Sequence, residues 1–248
     1  MNFTISNTYS HLASSLTSLP ATFEQEGRVI YDERNKLKQF DFKGVEVVVK
    51  RYKKPHLINQ FAYKYIRPSK AKRAFLNAEK LLSMGIKSPP PVGFLELTNI
   101  FGLQDAYYAC LLQPYRCTIR QVMDQQDFPK REHILRDFAR FTIHLQANNI
   151  YFLDHSPGNT LLIEKDGGYT FSLVDINRMQ FRPLKQEERY ENFSKLTTDV
   201  EVLQLFAEEL SLALNQPQEE VYSAILKFMQ ADQAKRQFKR KIKFWKKA

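Results

Sequence analysis

The chain has 248 residues, of which 43% are hydrophobic and 13% aromatic, and this predicts a folded globular protein with a sizeable core. It has no apolar run of about 18 residues, so no membrane-spanning helix is expected, and its first residues lack the basic start and apolar core of a secretory signal. The two cysteines, Cys110 and Cys117, have no metal-ligand spacing and indicate a reducing, cytoplasmic setting without disulfides.

The net charge of +10 is concentrated in two segments. Residues 50–80 carry ten Lys or Arg and one acid, and residues 235–247 carry eight basic residues and no acid. Subtracting both segments from the totals of 37 basic and 27 acidic residues leaves 19 against 26. Two basic surfaces on a mildly acidic body predict an anionic partner: a nucleotide phosphate, a lipid headgroup, a phosphorylated glycolipid or a nucleic acid. A solvated charged face is the alternative for either segment.

The chain begins with a polar segment that is followed by predicted strands. Residues 1–22 are rich in Ser and Thr and predict a weakly ordered lead-in. Residues 23–52 have a strand-like pattern that is broken at 32–36 and at 43–44, which predicts three antiparallel strands. The third strand ends on Lys50, although a lysine at a strand end is common and alone indicates no function.

A helix and two further strands follow. Apolar residues at helical spacing predict a helix over residues 69–84. Glu79 lies on this helix among basic neighbours, where it would either reach Lys50 or form only local pairs. Residues 92–97 and 106–112 predict two more strands.

Helices dominate the rest of the chain. Patterns at 118–123, 129–148, 185–215 and 219–230 predict helices. The tail, residues 235–247, places Phe238, Ile242 and Trp245 on one helical face with basic residues around it. Such a segment fits a helix that lies on an anionic bilayer surface, and it also fits a helix that packs on the C-terminal part of the protein itself.

A loop and a hairpin between these helices carry the candidate chemistry. Asp154 and Asn159 stand on a predicted loop, because the His-Ser-Pro-Gly between them favours neither helix nor strand. Two short apolar runs then predict a hairpin whose second strand ends on Asp175. One Asp to orient a hydroxyl, with an Asn and a second Asp to hold magnesium, is the set of groups that phosphoryl transfer requires.

These motifs resemble those of known kinases. The sequence from Asp154 to Asn159 is similar to the D-x-x-P-G-N loop of aminoglycoside phosphotransferases and bacterial lipopolysaccharide kinases. The sequence Asp-Ile-Asn-Arg at 175–178 resembles the D-x-x-R of Kdo and heptose kinases, and Val-Val-Val-Lys50 resembles the V-A-I-K strand of kinase-like folds. Their order along the chain is much less expected by chance than any one of them alone.

The resemblance implies an α+β, two-lobed protein-kinase-like fold. After the lead-in of residues 1–22, an N-lobe with an antiparallel sheet and one long helix would span 23–113. A mainly helical C-lobe with the catalytic loop, the metal-binding hairpin and the basic tail would span 114–248.

The resemblance also implies roles for single residues. Asp154 would orient or deprotonate the acceptor hydroxyl, Lys50 would contact the phosphates of ATP, and Glu79 would position Lys50. Asn159 and Asp175 would bind the nucleotide through Mg²⁺. The remaining implied contacts are those of the adenine hinge, Gln113 and Tyr115, and those of the substrate, Arg178 and His155.

The implied function is an ATP- and Mg²⁺-dependent kinase acting on a hydroxyl of a lipopolysaccharide core sugar, Kdo before heptose. The acceptor of this kinase would be a lipid-linked acidic sugar. The protein would be cytoplasmic and would bind peripherally to the inner face of the inner membrane. Nucleic acid is not an expected partner. Three departures from the family pattern favour a catalytically weak pseudokinase scaffold instead: a turn at 32–36 without glycine, Phe152 and Ser156. An aminoglycoside-type phosphotransferase is the other alternative, and the basic segments disfavour its cationic substrate.

Overall fold

The structure is a computed structural model that describes residues 1–32, 35–165 and 167–245, without the side chains of 57, 58, 236 and 239–245. The chain divides into two compact units. The first contains Met1–Tyr115 and Ser172–Arg178, and the second contains Arg116–Phe171 and Met179–Ala248. The boundary predicted at residue 113 is close to the first of these limits, but the sequence did not indicate that 172–178 belongs with the N-terminal unit.

The first unit is built on a sheet with three helices. In chain order its elements are β1 (Asn2–Ile5), α1 (Ala13–Thr22), β2 (Arg28–Asp32), β3 (Lys36–Phe42), β4 (Val45–Tyr52), α2 (Leu57–Tyr65), α3 (Lys70–Ser83), β5 (Pro91–Asn99) and β6 (Gly102–Leu111). The sheet has six strands in the order β1-β5-β6-β4-β3-β2, and its neighbouring strands are antiparallel. In β4 the alternation of side chains buries Val47 and Val49 and leaves Lys50 half-buried on the other face.

The first 22 residues are ordered, and the prediction of a weakly ordered lead-in is wrong. β1 pairs with β5 from Asn2 opposite Glu96 onward. A 3-10 helix, Asn7–Leu12, leads into α1. Leu12, Leu16 and Leu19 are fully buried, because their i, i+4, i+7 spacing forms one apolar stripe that packs on the sheet.

A buried lysine fixes the end of this N-terminal helix. Lys38 Nζ, from β3, donates to the carbonyl oxygens of Phe23 at 2.7 Å, Glu24 at 3.0 Å and Glu26 at 2.8 Å. Carbonyls just past a helix end have no partner within the helix, and a cation satisfies both their hydrogen bonding and the negative end of the helix dipole. Strand pairing, buried leucines and the Lys38 hydrogen bonds therefore join residues 1–26 to the sheet of the first unit.

The second unit is mainly helical. Its elements are β7 (Cys117–Thr118), α4 (Ile119–Asp124), α5 (Arg131–Ala147), β8 (Ile150–Phe152), β9 (Thr160–Lys165), β10 (Gly168–Leu173, shared with the first unit), β11 (Met179–Phe181), α6 (Gln186–Ser194), α7 (Val200–Leu214) and α8 (Gln218–Trp245). Its small sheets have the orders β10-β9-β7 and β11-β8. Phe138, Phe206 and Ile225 lie in one core with other apolar side chains of α5, α7 and α8.

Two features of the C-terminal helices differ from the predicted pattern. The helix predicted over 185–215 is interrupted, because Asp199 caps α7 by accepting hydrogen bonds from the backbone N–H groups of Glu201 and Val202. The predicted amphipathic tail face falls mostly on Ile242 and Trp245, whose side chains lie outside the described part of the structure. No helix among the described residues combines the length and the apolar character needed to cross a bilayer.

Candidate active site

The first unit pairs Lys50 of β4 with Asp175, which lies two residues past the end of β10 at Leu173 and not at the strand end as predicted. Lys50 Nζ lies 2.7 Å from Asp175 Oδ1, with side chains 14% and 37% exposed. The same ammonium lies 5.3 Å from the ring centroid of Tyr52. The pair thus joins an ammonium to a carboxylate two residues before the end of β4.

Asp175 occupies an unusual backbone conformation that its neighbours hold in place. Its φ is 55°, in the left-handed region that residues other than glycine seldom adopt. Asn177 Nδ2 donates to Asp175 Oδ1 at 2.7 Å, and Asn77 Nδ2 on α3 donates to the Ile176 carbonyl oxygen at 2.8 Å. The turn Ile176–Arg178 is thus held on both sides of the strained residue.

Two neutral side chains, Cys110 and Tyr52, lie near this ion pair, and the Arg73 guanidinium also acts on Tyr52. Burial raises the pKa of the Cys110 thiol to about 12 and raises that of Tyr52 well above its usual range, with the Asp175 charge adding to the second effect. Neither the Cys110 thiol nor the Tyr52 hydroxyl therefore adds a negative charge beside Lys50 and Asp175.

The structure does not bring Glu79 to Lys50. The Glu79 side chain is exposed, and within the described part of the chain no ion pair joins it to Lys50. α3 turns Asn77 toward the segment after Asp175, and a residue two positions further along a helix faces about 200° away from it. The carboxylate that holds Lys50 in this structure is therefore Asp175, which the sequence assigned only to the metal.

In the second unit, the loop from Asp154 to Asn159 is held by its own backbone and amide groups. A 3-10 turn spans Pro157–Asn159, and the backbone N–H of Asn159 donates to the Ser156 carbonyl oxygen at 2.9 Å. Asn159 Nδ2 donates to the Asp154 carbonyl oxygen, also at 2.9 Å. Because its amide nitrogen is used in this way, the side-chain oxygen of Asn159 is the atom left to bind a cation.

His155 is part of the interior of the second unit, and its predicted role in substrate binding is wrong. The side chain is 1% exposed, its Nε2 lies 3.0 Å from Thr142 Oγ1, and its ring contacts Phe138 and Phe152 at centroid distances of 5.6 and 5.3 Å. Burial lowers its pKa to about 3, so the ring is neutral at pH 7. The packing of His155 between Phe138 and Phe152 therefore fixes the loop directly after Asp154.

Arg120 is a basic residue beside this loop, and no sequence motif indicates it. A Cβ atom added to Gly158 would lie 3.3 Å from Arg120 Nε, so the guanidinium group passes close to the loop backbone. Arg120 lies on the short helix α4 and is exposed. It supplies a positive charge next to the loop that contains Ser156.

The remaining predicted residues lie on exposed or half-buried segments. Gln113 and Tyr115 follow β6, and within the described part of the chain neither of their N–H groups has a backbone acceptor. Arg178 is exposed at the end of the turn after Asp175.

The candidate magnesium ligands are an amide and a carboxylate rather than a preformed cage. Among the described residues, no three His, Cys, Asp or Glu side chains come together as a metal site. Asn159 in the second unit and Asp175 in the first each carry an oxygen donor, the ligand type that Mg²⁺ prefers in proteins.

Comparisons with known proteins give a fold but no sequence relative. No family model matches the sequence, and no curated protein matches it either. A solved structure of WaaP in complex with acyl carrier protein is similar with a TM-score of 0.64 and 14% identity, over 95% of this chain and 99% of the WaaP chain. A structure of WbdD with a kinase inhibitor is similar over 84% of this chain and 45% of the WbdD chain, with a TM-score of 0.46 and 16% identity.

The likeness to WaaP establishes the fold. This chain has the kinase-like fold of WaaP, with an antiparallel six-stranded sheet and a helical part. The fold class predicted from the motifs is confirmed.

Proposed function

We propose that this chain is an ATP- and Mg²⁺-dependent kinase that phosphorylates a hydroxyl of a lipopolysaccharide core sugar, with Kdo as the acceptor. The observation that carries the proposal is the 2.7 Å ion pair between Lys50 on β4 and the strained Asp175, in a chain with a kinase-like fold. The acceptor class is supported by the resemblance of residues 154–159 and 175–178 to the motifs of lipopolysaccharide kinases.

Lys50 and Asp175 neutralise each other in this structure, and each has a further role in the proposed reaction. Lys50 binds the nucleotide phosphates, and Asp175 then offers its carboxylate to magnesium together with the Asn159 side-chain oxygen. Magnesium, when bound, neutralises charge on the phosphates. The N–H groups of Gln113 and Tyr115 are the proposed donors to the adenine ring.

The acceptor side of the reaction is assigned to the second unit's loop and to two arginines. Asp154 orients the sugar hydroxyl and takes its proton. Arg120, close to Gly158, and Arg178 are the proposed cations for the transferred phosphate and the acidic sugar.

The proposed partners follow from the proposed acceptor. A lipid-linked acidic sugar is met at a membrane, so we infer peripheral contact with the cytoplasmic face of the inner membrane, to which the basic segment 235–247 would contribute. Because WaaP forms a complex with acyl carrier protein, the same carrier is a second partner to test for this chain.

The decisive experiment follows ATP consumption and acceptor mass with purified lipid A–core. We expect the native chain to add one phosphate to the acceptor, and Asp154→Ala and Asp175→Asn to lower the rate by roughly 10²–10⁴-fold. Asp127→Asn, which removes an exposed carboxylate from the second unit, is the matched control and should keep the native rate.

Other outcomes identify the alternatives. ATP-induced thermal stabilisation without phosphate on any acceptor would contradict the kinase proposal and favour a pseudokinase scaffold. Phosphate transfer to an aminoglycoside but not to lipid A–core would move the chain to the drug-modifying class.

A further inference from the structure

A surface of the first unit that phosphoryl transfer does not use joins helix α2 to the turn between β5 and β6. Lys64 Nζ on α2 donates to the Asn99 carbonyl oxygen at 2.7 Å. Gly102 has a φ of 132°, and a Cβ atom there would lie 2.4 Å from the backbone of Gln60. Only glycine lets the turn come this close to the helix, so residues 61–67 and 99–101 form one continuous surface, called the α2 surface below.

The α2 surface exposes a cluster of large apolar side chains. Their exposed fractions run from 54% to 79%, and the members are Phe61, Tyr65, Ile66, Ile100 and Phe101. The rings of Phe61 and Tyr65 stand one helical turn apart, with centroids 4.8 Å from each other. Exposed apolar residues are ordinary when they occur singly, whereas a contiguous group marks an interaction site.

Basic residues surround this apolar cluster. Residues 53–73 contain seven Lys or Arg and no Asp or Glu. Lys64 Nζ lies 4.9 Å from the ring centroid of Tyr65, and the Arg67 guanidinium lies 4.5 Å from that of Tyr63. Both side chains run along aromatic rings and keep their charged ends exposed, as basic residues do beside apolar surfaces at an interface.

We propose that the α2 surface docks on an anionic lipid bilayer. Phe61, Ile100 and Phe101 enter the boundary between headgroups and acyl chains, while Lys64 and Arg67 contact anionic headgroups. The apolar side chains project from a helix and from the tip of a turn instead of lining a groove, and this shape suits a deformable interface better than an acidic protein. The surface is distinct from the tail at 235–247, and the inference does not depend on the proposed kinase function.

Vesicle binding by the full chain tests the proposal. We expect co-sedimentation with vesicles that contain phosphatidylglycerol and much weaker binding to pure phosphatidylcholine. The double substitution Ile100→Ser with Phe101→Ser should lower the partition coefficient by about tenfold or more. Leu212→Ser, which removes a 73% exposed leucine from the second unit, is the matched control and should bind like the native chain.

A fluorescent probe at the turn separates this surface from the tail. Trp245 is the single tryptophan of the chain, so Phe101→Trp in a Trp245→Phe background reports only the turn. We expect a blue shift and quenching by brominated lipids on anionic vesicles. Binding that persists without a shift would assign lipid contact to another segment, and a shift with an acidic protein but not with vesicles would identify a protein partner; each would overturn the proposal.

The same variants keep lipid binding separate from catalysis. Phosphate transfer to a water-soluble sugar fragment should be unchanged by the Ile100→Ser, Phe101→Ser pair. A chain that binds vesicles but transfers no phosphate would support the docking surface and contradict only the kinase proposal.

Discussion

The segments that follow the candidate aspartates, Asp175 in the first unit and Asp154 in the second, are held by different forces. In the first unit, the turn after Asp175 is held by polar side chains, through the ammonium of Lys50 and the amides of Asn77 and Asn177. In the second unit, the residue after Asp154 is a neutral histidine fixed between aromatic rings. One segment depends on charge and hydrogen bonds at a partly exposed position, and the other on apolar packing in a core.

This difference indicates which segment a ligand can change. A magnesium ion or a phosphate can compete for Asp175 and Lys50, because an ion pair can exchange partners with a charged ligand and both side chains keep some exposure, 37% and 14%. No such ligand can displace His155, whose ring is 1% exposed. Substitutions should therefore change activity in the first case and stability in the second.

The largest effect is expected from the charged pair. Lys50→Met should lower the rate of phosphate transfer by roughly 10²-fold or more, because the nucleotide phosphates lose their cation. The free energy of unfolding should change by only about 1 kcal/mol, since the pair is partly exposed. Steady-state kinetics and urea unfolding of the same preparation measure both quantities.

Arg51→Met provides the matched control on the same strand. Arg51 points to the opposite face of β4 and makes a two-bond ion pair with Asp105, at 3.0 and 2.6 Å. Its loss should cost stability and leave the rate unchanged. Equal activity in both variants would contradict the role given to Lys50.

The local parts of the fold could be read from the sequence, whereas the partners of charged residues could not. Alternation identified β4, although the strand continues to Tyr52 and does not end on Lys50, and helical spacing identified α3, because both patterns repeat over a few residues. The position of Glu79 on α3 was therefore known. Which side of α3 meets the turn after Asp175 depends on packing between distant segments, and no local pattern records it.

The prediction of a weakly ordered lead-in over residues 1–22 was wrong because it rested on composition and not on the spacing of a few apolar residues. Leu12, Leu16 and Leu19 have helical spacing, but the Ser and Thr residues between them predict weak order. His155 was misjudged for a similar reason. A polar residue in a breaker-rich loop suggests exposure, and only the tertiary contacts with Phe138 and Phe152 show its burial.

The burial of His155 in the segment after Asp154 predicts that the stability of the protein depends on pH. Burial, with a smaller effect of Lys195, lowers the pKa of His155 to about 3 from a usual 6.5. Below pH 6.5 the His155 ring binds a proton in the unfolded chain but not in the folded chain. The free energy of unfolding therefore falls as the pH drops from 6.5 toward 3. At pH 5 the loss should be about 2 kcal/mol.

Urea unfolding of His155→Leu at pH 7 and pH 5 tests this dependence. The variant should lose less stability than the native chain between these values, because Leu has no proton to bind and Thr142 Oγ1 keeps its bond to the Phe138 carbonyl oxygen at 3.0 Å. His11→Gln, at an exposed histidine, should behave like the native chain. An unchanged loss in His155→Leu would show that other groups cause it.

The smallest effect is expected from two positions on α3, and it tests which side chain of that helix serves the site. Asn77→Ala removes the 2.8 Å bond to the Ile176 carbonyl oxygen, so the strained Asp175 is less well fixed and the turnover number should fall about tenfold. Glu79 lies two residues after Asn77 and is exposed, so Glu79→Gln should stay within about twofold of the native rate. The reverse order, a large loss in Glu79→Gln and little in Asn77→Ala, would mean that Lys50 exchanges Asp175 for Glu79 during turnover, as the sequence alone had indicated.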